Sequence, residues 1–297
     1  MSAPLTSRLA IIGVGLIGGS LARAVRRELA AVEIVGCGRH LPNLQRACEL
    51  GVIDRYETDP AQAVRGADLV VVAVPVGAIE GVFAAIDGRL APGAVITDVG
   101  STKGNVVGAA RRRLGDRLAD FVPGHPIAGT EQSGVEASFA GLFTGCRVIV
   151  TPLAETRRAA VERVRALWQL AGARVSEMDV RHHDQVLAAT SHLPHLLAYT
   201  LVDSLARLDD SEEIFNYAAG GFRDFTRIAS SDPALWRDIC LANRDAVLDT
   251  LTRFTADLAG VADAVRRGDG DALMQVFARA KEVRDRFAMK VNVRSEE

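Results

Sequence analysis

The stretch from Leu9 to Gly18, LAIIGVGLIG, constrains this chain more than any other. A short apolar run, a glycine-spaced turn and the opening of a helix follow one another without a break. Each glycine of GVGLIG has a task. Gly13 permits a tight turn, Gly15 lets backbone approach a pyrophosphate, and Gly18 allows the helix to close on the strand. The helix N-terminus then faces the phosphate charge. Strand, turn and helix in this order predict a dinucleotide-binding turn at the head of a parallel sheet.

The rest of the first half keeps the same rhythm. Strands are expected at 9–13, 33–38, 69–75, 94–100, 147–152 and 173–179, alternating with helical patterns as a parallel sheet with crossover helices requires. LVVVAVP, 69–75, is nearly all apolar, the pattern of a strand buried on both faces. Ile79, Val82, Phe83 and Ile86 keep helical spacing after it, as do Val161, Val164, Leu167 and Trp168 further on. Beyond residue 180 strand signals stop and long helical patterns take over. The expected fold class is α/β: an N-terminal doubly wound, Rossmann-type parallel sheet over 1–179, then an all-helical domain over 180–297.

Composition narrows the partners. The 297 residues are 48% hydrophobic and 24% charged with a net charge of −2, which gives no electrostatic footprint for nucleic acid or a membrane surface. Four cysteines without CxxC spacing suggest a reducing compartment, hence the cytoplasm. Leu9–Ala22 is too glycine-rich for a signal peptide, and Gln185–Val202 carries too many polar groups to be a membrane span.

Gly13, Gly15, Leu16, Ile17 and Gly18, with Val74 and Pro75 at the exit of the 69–75 run, form the expected cofactor-binding set. Preference between the two nicotinamide cofactors is read at the end of the second strand, where an acid would hold the ribose 2′-hydroxyl. Gly38 stands there, followed by Arg39 and His40. A cation able to pair with a 2′-phosphate replaces the acid that would repel it. The expectation is NADP in preference to NAD. The plainer alternative leaves Arg39 beside adenine or in solvent and the chain tolerant of both.

Five of the six histidines, His125, His182, His183, His192 and His195, fall between 125 and 195. No HExxH or Cys/His set accompanies them, so no metal site is expected. Proton chemistry suits a nicotinamide enzyme better, because oxidising an alcohol by hydride loss needs a group to take the hydroxyl proton. At about 100° per residue, Asp184, Ser191 and His195 share a helix face and His192 lies about 80° away. His192 joins them only if Pro194 bends or unwinds the helix. His182 reads as a surface residue and His183 as a structural or supporting one.

GVGLIGGS, DVGSTKG (98–104), GHPIAGTEQSG (124–134), HDQVLAATSHLPH (183–195) and GGFRDFTRIASSDPALW (220–236) together resemble the prephenate/arogenate dehydrogenase family of tyrosine biosynthesis. The likeness runs from residue 8 to about 240. It implies oxidative decarboxylation: His125 polarises or deprotonates the ring hydroxyl, hydride leaves the carbon bearing it, and the ring carboxylate departs as carbon dioxide. It also places Ser101 near the hydroxyl and the nicotinamide, His192 and His195 in the substrate pocket, and Arg227 on a substrate carboxylate. Arg223 is the rival cation.

His125 is expected in a loop after a Phe121–Val122 strand, with Gly124 and Pro126 restricting it. Thr130 and Glu131 belong to the substrate-binding set, Glu131 either orienting the imidazole or gating the pocket. Asp184 is the expected contact that selects the imidazole tautomer. A homodimer through the C-terminal helices is implied by the family. Two other functions fit parts of the pattern: a β-hydroxyacid-type dehydrogenase, which uses a lysine on the helix opening the second domain where 180–205 has none, and a dinucleotide-sensing protein without turnover.

Overall fold

The computed structural model describes residues 5–293, with side chains to residue 286. Strands β1 (Arg8–Ile12), β2 (Glu33–Cys37), β3 (Arg55–Glu57), β4 (Leu69–Val72), β5 (Val95–Asp98) and β6 (Phe121–Val122) form one six-stranded sheet in the order β3-β2-β1-β4-β5-β6. All its pairings are parallel. The order reverses at β1 and β4, and ligands of open α/β sheets bind beyond the carboxyl ends of strands at such a switch point.

The alternation within β1 and β4 explains why both strands are apolar throughout. Leu9, Ile11, Leu69 and Val71 belong to the core on one face, and Ala10, Ile12, Val70 and Val72 to the core on the other. Each fully buried Leu, Ile or Val side chain contributes roughly 1.5–3 kcal/mol. The helix Leu16–Glu28 covers the first face with Leu21 and Val25, and Ile79–Ile86 covers the second with Ile79, Val82, Phe83 and Ile86.

Two expected strands belong elsewhere. β8 (Arg147–Val150) and β9 (Arg174–Glu177) do not extend the parallel sheet but form a second, three-stranded one with β7 (Gly124–Ile127), in the order β7-β8-β9. β7 runs antiparallel to β8, with His125 opposite Ile149. His125 therefore sits on a strand and not in a loop. Its backbone is held by a ladder rather than by the restrictions of Gly124 and Pro126 alone. The single residue Pro123 separates β6 from β7, so the chain passes directly from one sheet to the other. The three-residue β3 was not foreseen, because RYE lacks any apolar alternation.

The long helical pattern after 180 is broken. Asp179 caps the helix Val180–Leu187, accepting from the backbone N–H of Arg181 and His182. Ala188–His192 is a π-helical turn, and Leu193–Ala206 continues as α-helix with Pro194 in its first turn. Pro194 has no N–H to give to the preceding turn, and the widened π-turn just before it marks where the regular helical ladder is interrupted; π-turns concentrate at functional sites.

Contacts divide the chain into two compact units, Met1–Val247 and Leu248–Glu297. The second comprises most of the helix Arg244–Arg267 and the helix Gly270–Val293. Gly268 links them at φ +66°, a left-handed conformation that glycine adopts without cost at a helix end. Among the described residues no helix is long and apolar enough to cross a membrane.

Candidate active site

The glycine turn fits a dinucleotide in three separate ways. Gly13 has φ +104°, and a Cβ there would lie 2.1 Å from the Ala73 carbonyl oxygen. At Gly18 a Cβ would meet the Gly13 carbonyl oxygen at 2.1 Å, so helix and turn touch backbone to backbone. Gly15, by contrast, has nothing within 4 Å of that position. It is also the N-cap residue of Leu16–Glu28 and offers no side-chain cap, so the first helical N–H groups remain available to an anion.

These residues open onto a cavity of about 830 Å³ lined by Gly13, Gly15, Arg39, Val74 and Pro75 among others. Leu16, Ile17 and Gly18 are not on its wall but form the helix start behind it. No carboxylate is among the described lining residues, and Arg39 reaches the cavity as an exposed side chain. His40 beside it caps the helix Leu41–Glu49, its Nδ1 accepting from the Asn43 backbone N–H at 3.3 Å. Burial pushes the Cys37 thiol up to about 12, so it lines the cavity as a neutral group. Asn43 went unnoticed in the sequence. Its amide donates to the Val14 carbonyl at 2.7 Å and accepts from the Val135 N–H at 3.2 Å, holding the glycine turn against the loop after β7.

A buried polar network lies where β5, β7 and the Val180–Leu187 helix meet. His125, 8% exposed, shares a hydrogen bond of 2.9 Å between its Nδ1 and His183 Nε2. His183 is fully buried, and its Nδ1 lies 2.8 Å from Asp184 Oδ1. The backbone N–H groups of Lys103 and Gly104 donate to Asp184 Oδ1 and Oδ2 at 2.8 and 2.7 Å. Asp184 thus reaches His125 through His183, not directly as the sequence suggested. Adjacent residues on one helical turn do not share a face, so the wheel could not show it.

The direction of each hydrogen bond follows from the carboxylate. Burial would raise Asp184, but the His183 bond and the two backbone N–H groups more than offset it and hold it below the usual carboxylate range. An ionised Asp184 accepts only, so His183 Nδ1 carries a proton, and in the neutral ring its Nε2 is bare. His125 Nδ1 must then donate. Its Nε2 is left with a free lone pair, the state of a proton acceptor. Burial, reinforced by the neighbouring His183, Lys103 and His192, keeps His125 well below its ordinary value and therefore neutral at pH 7.

Lys103 is the residue in this network that the sequence did not flag. Its side chain is fully buried, paired with the equally buried Asp98, and donates to the Gly124 carbonyl at 2.6 Å. Asp98 also accepts from Gly100 N–H at 2.7 Å and from Gly124 N–H at 3.1 Å. The loop carrying Ser101 is thereby registered against the residue preceding His125. A lysine between a glycine-rich strand exit and a helix reads as a surface residue unless its partner on β5 is known.

The π-turn resolves the phase of His192. It lies 1% exposed, its Nδ1 3.2 Å from the Asn243 amide, which also donates to the Asp184 carbonyl at 2.8 Å. Burial drives His192 down to about 4 despite the opposing pull of Asp184. His195 stands apart, stacked on Trp236 with ring centroids 3.4 Å apart. Its Nδ1 donates to the Ser191 carbonyl at 2.9 Å, and burial lowers it against that bond.

Glu131 pairs with Arg227 rather than with His125. Both are exposed, as is Thr130, whose hydroxyl accepts from the Gln132 N–H at 3.2 Å. Tyr199 donates to the Ser231 carbonyl at 2.5 Å, fixing the turn that carries Arg227. Among the described residues Arg223 joins no ion pair, and no group of three or more His, Cys, Asp or Glu side chains converges as a metal set.

A glycine cradle opening on a large cavity and a neutral, buried histidine with a free ring nitrogen define a nicotinamide-dinucleotide-dependent dehydrogenase. The family models for the nucleotide-binding and dimerization domains of prephenate dehydrogenase match residues 21–177 and 179–279. The cyclohexadienyl dehydrogenase of Zymomonas mobilis is 40% identical over 280 residues, covering 93% of this chain and 94% of that protein. The prephenate dehydrogenase of Bacillus subtilis is 37% identical, covering 94% and 76%. Among solved structures, prephenate dehydrogenase from Aquifex aeolicus in complex with hydroxyphenyl propionate and NAD+ superposes with TM-score 0.89 at 35% identity, covering 97% of this chain and 100% of that one. Arogenate dehydrogenase from Synechocystis gives TM-score 0.79 at 25% identity, covering 94% and 99%. This chain belongs to the prephenate dehydrogenase family.

Proposed function

We propose that the chain catalyses oxidative decarboxylation of prephenate to 4-hydroxyphenylpyruvate in tyrosine biosynthesis, with arogenate, which would yield tyrosine, as the second candidate substrate. The observation that carries this reading is the free Nε2 of a neutral His125, fixed by the His183–Asp184 chain. The dinucleotide, when bound, supplies the hydride acceptor. The substrate hydroxyl proton goes to His125 Nε2 as the C–H bond of the same carbon gives up its hydride. The carbon–carboxylate bond breaks with its electron pair entering the ring, and the phenolate oxygen so formed takes the proton back from His125. Ser101, on the loop registered by Asp98 and Lys103, lies near the hydroxyl in this reading. His192 and His195 line the substrate pocket, with Thr130 and Glu131 at its rim.

Arg227 is assigned to a substrate carboxylate, which would replace its ion pair with Glu131. A guanidinium suits this role because it binds carboxylate through paired hydrogen bonds. NADP is the preferred cofactor, since Arg39 and no acid lines the cavity. A homodimer forms through the C-terminal helices, whose Leu258, Val265, Met274, Phe277 and Val283 are apolar and exposed in the single chain. The four cysteines are unpaired, which suits a reducing cytoplasm.

The test is the appearance of reduced cofactor at 340 nm with prephenate and with arogenate, each with NADP and NAD, compared as kcat/KM. Reduction with prephenate or arogenate supports the assignment. Tight cofactor binding with no reduction on either substrate would replace it with a sensing role.

A further inference from the structure

We propose that His183 is a positioning residue that also holds a proton, receiving the Nδ1 proton of His125 as His125 Nε2 takes the proton of the substrate hydroxyl. This rests on the dehydrogenase reading above and adds to it a second imidazole that never touches the substrate.

The arrangement of charge favours this over a passive spacer. Among the described residues, the titratable groups that face the two imidazoles are Asp98 at the end of β5, Lys103 on the loop after it, Asp184 on the helix of His183 itself, and His192 on the π-turn. Asp98 and Lys103 pair with each other, and among the described residues the Asp184 carboxylate forms no ion pair with a lysine or arginine, its side-chain partner being His183. A cation on His125 would be opposed by its burial and by Lys103 and His192 beside it. Moved one ring further, the same charge lies 2.8 Å from the carboxylate, where attraction is strong because little solvent screens it. Both nitrogens of His183 are already committed along this line, at 2.9 Å to His125 and 2.8 Å to Asp184.

The step balances as two coupled proton transfers. The substrate O–H bond breaks and His125 Nε2–H forms; His125 Nδ1–H breaks and His183 Nε2–H forms. His125 ends neutral in its other tautomer, and His183 ends as an imidazolium against Asp184. As the ring aromatises, its phenolate oxygen takes the proton back from His125 Nε2 and becomes the phenol hydroxyl, and His125 Nδ1 recovers the proton held by His183.

Two experiments decide it. In the free wild-type protein, ¹⁵N chemical shifts of the histidine rings should show protons on Nδ1 and bare Nε2 for both His125 and His183. In single-turnover reduction of cofactor by prephenate, the dependence of rate on the deuterium fraction of the solvent should be curved for the wild type, as two moving protons require. His183→Gln, whose amide can keep a hydrogen bond but not an added proton, should give a linear dependence and a rate roughly 10- to 100-fold lower, with cofactor affinity unchanged. A bare Nδ1 on His125, a linear dependence in the wild type, or a His183→Gln variant with the full rate would overturn the proposal. If that variant does not fold, the two wild-type measurements still decide. Failure of the wild type to oxidise prephenate or arogenate would instead refute the dehydrogenase reading, and the ring tautomers would remain a separate test of the network.

Discussion

Replacing Asp184 by asparagine tests how the site is held together, because the substitution keeps the shape and removes the charge. The carboxylate accepts three short hydrogen bonds, from His183, Lys103 N–H and Gly104 N–H. Asparagine has one carbonyl oxygen and one NH2. In one orientation the NH2 opposes the Gly104 N–H across 2.7 Å, and in the other it opposes both remaining donors. At least one hydrogen bond to a charged group is lost, worth about 1.5–3 kcal/mol, and a buried donor is left unsatisfied at a further cost of about 1–3 kcal/mol. The expected loss is about 3–5 kcal/mol, which lowers the thermal midpoint of a chain this size by roughly 10 °C. The pH dependence supplies a second check. Asp184 is lowered in the folded state, so its contribution is whole above the ordinary carboxylate value near 3.9 and is lost as pH falls through the lowered value. Midpoints of wild type and variant, followed by circular dichroism, should differ by a constant amount from pH 7 to about 4 and converge below it. A difference under 2 °C at pH 7, or one that widens in acid, would refute the reasoning.

His192 gives an acid transition at higher pH: a buried imidazole with a folded value of about 4 stabilises the fold fully above its ordinary value near 6.5, and about 3 kcal/mol is lost as pH falls from there to about 4. His192→Gln should make the fall of thermal midpoints across that window shallower without abolishing it, because His125 and His195 are lowered by burial as well, and an unchanged slope would contradict the account. Gly13→Ala should impair folding, because its Cβ would collide with the Ala73 carbonyl, whereas Gly15→Ala should fold normally and weaken cofactor binding, as titration of intrinsic fluorescence would show. Arg39→Asp should lower kcat/KM with NADP by roughly 10- to 100-fold while sparing NAD; undiminished use of NADP would remove Arg39 from the specificity argument.

What the sequence disclosed and what it withheld differ in physical kind. The glycine turn, the buried β1 and β4 and the helices beside them were legible because they are local patterns whose period follows from the backbone. A helix bent or unwound at Pro194 was the condition for His192 to join the face of Asp184, and the π-turn just before that proline brings His192 beside Asn243. Sheet membership was not legible. β8, RVIV, carries the same β-branched run as the first sheet, while β7, GHPI, carries none, and only the pairing of β8 with β7 and β9 sets these strands apart as a second sheet. Lys103, Asn43, Asn243 and Trp236 escaped notice because each acquires its meaning from a partner far along the chain. The same is true of His183, which sequence position alone made subordinate and which the fold sets between His125 and Asp184.

The central claim is that His125 Nε2 accepts the hydroxyl proton, and His125→Asn measures it most directly. Turnover of prephenate by the variant should fall by roughly 10²- to 10⁴-fold, while its affinity for the dinucleotide stays at the wild-type value because the glycine cradle is untouched. Full activity in a folded His125→Asn variant would contradict the account.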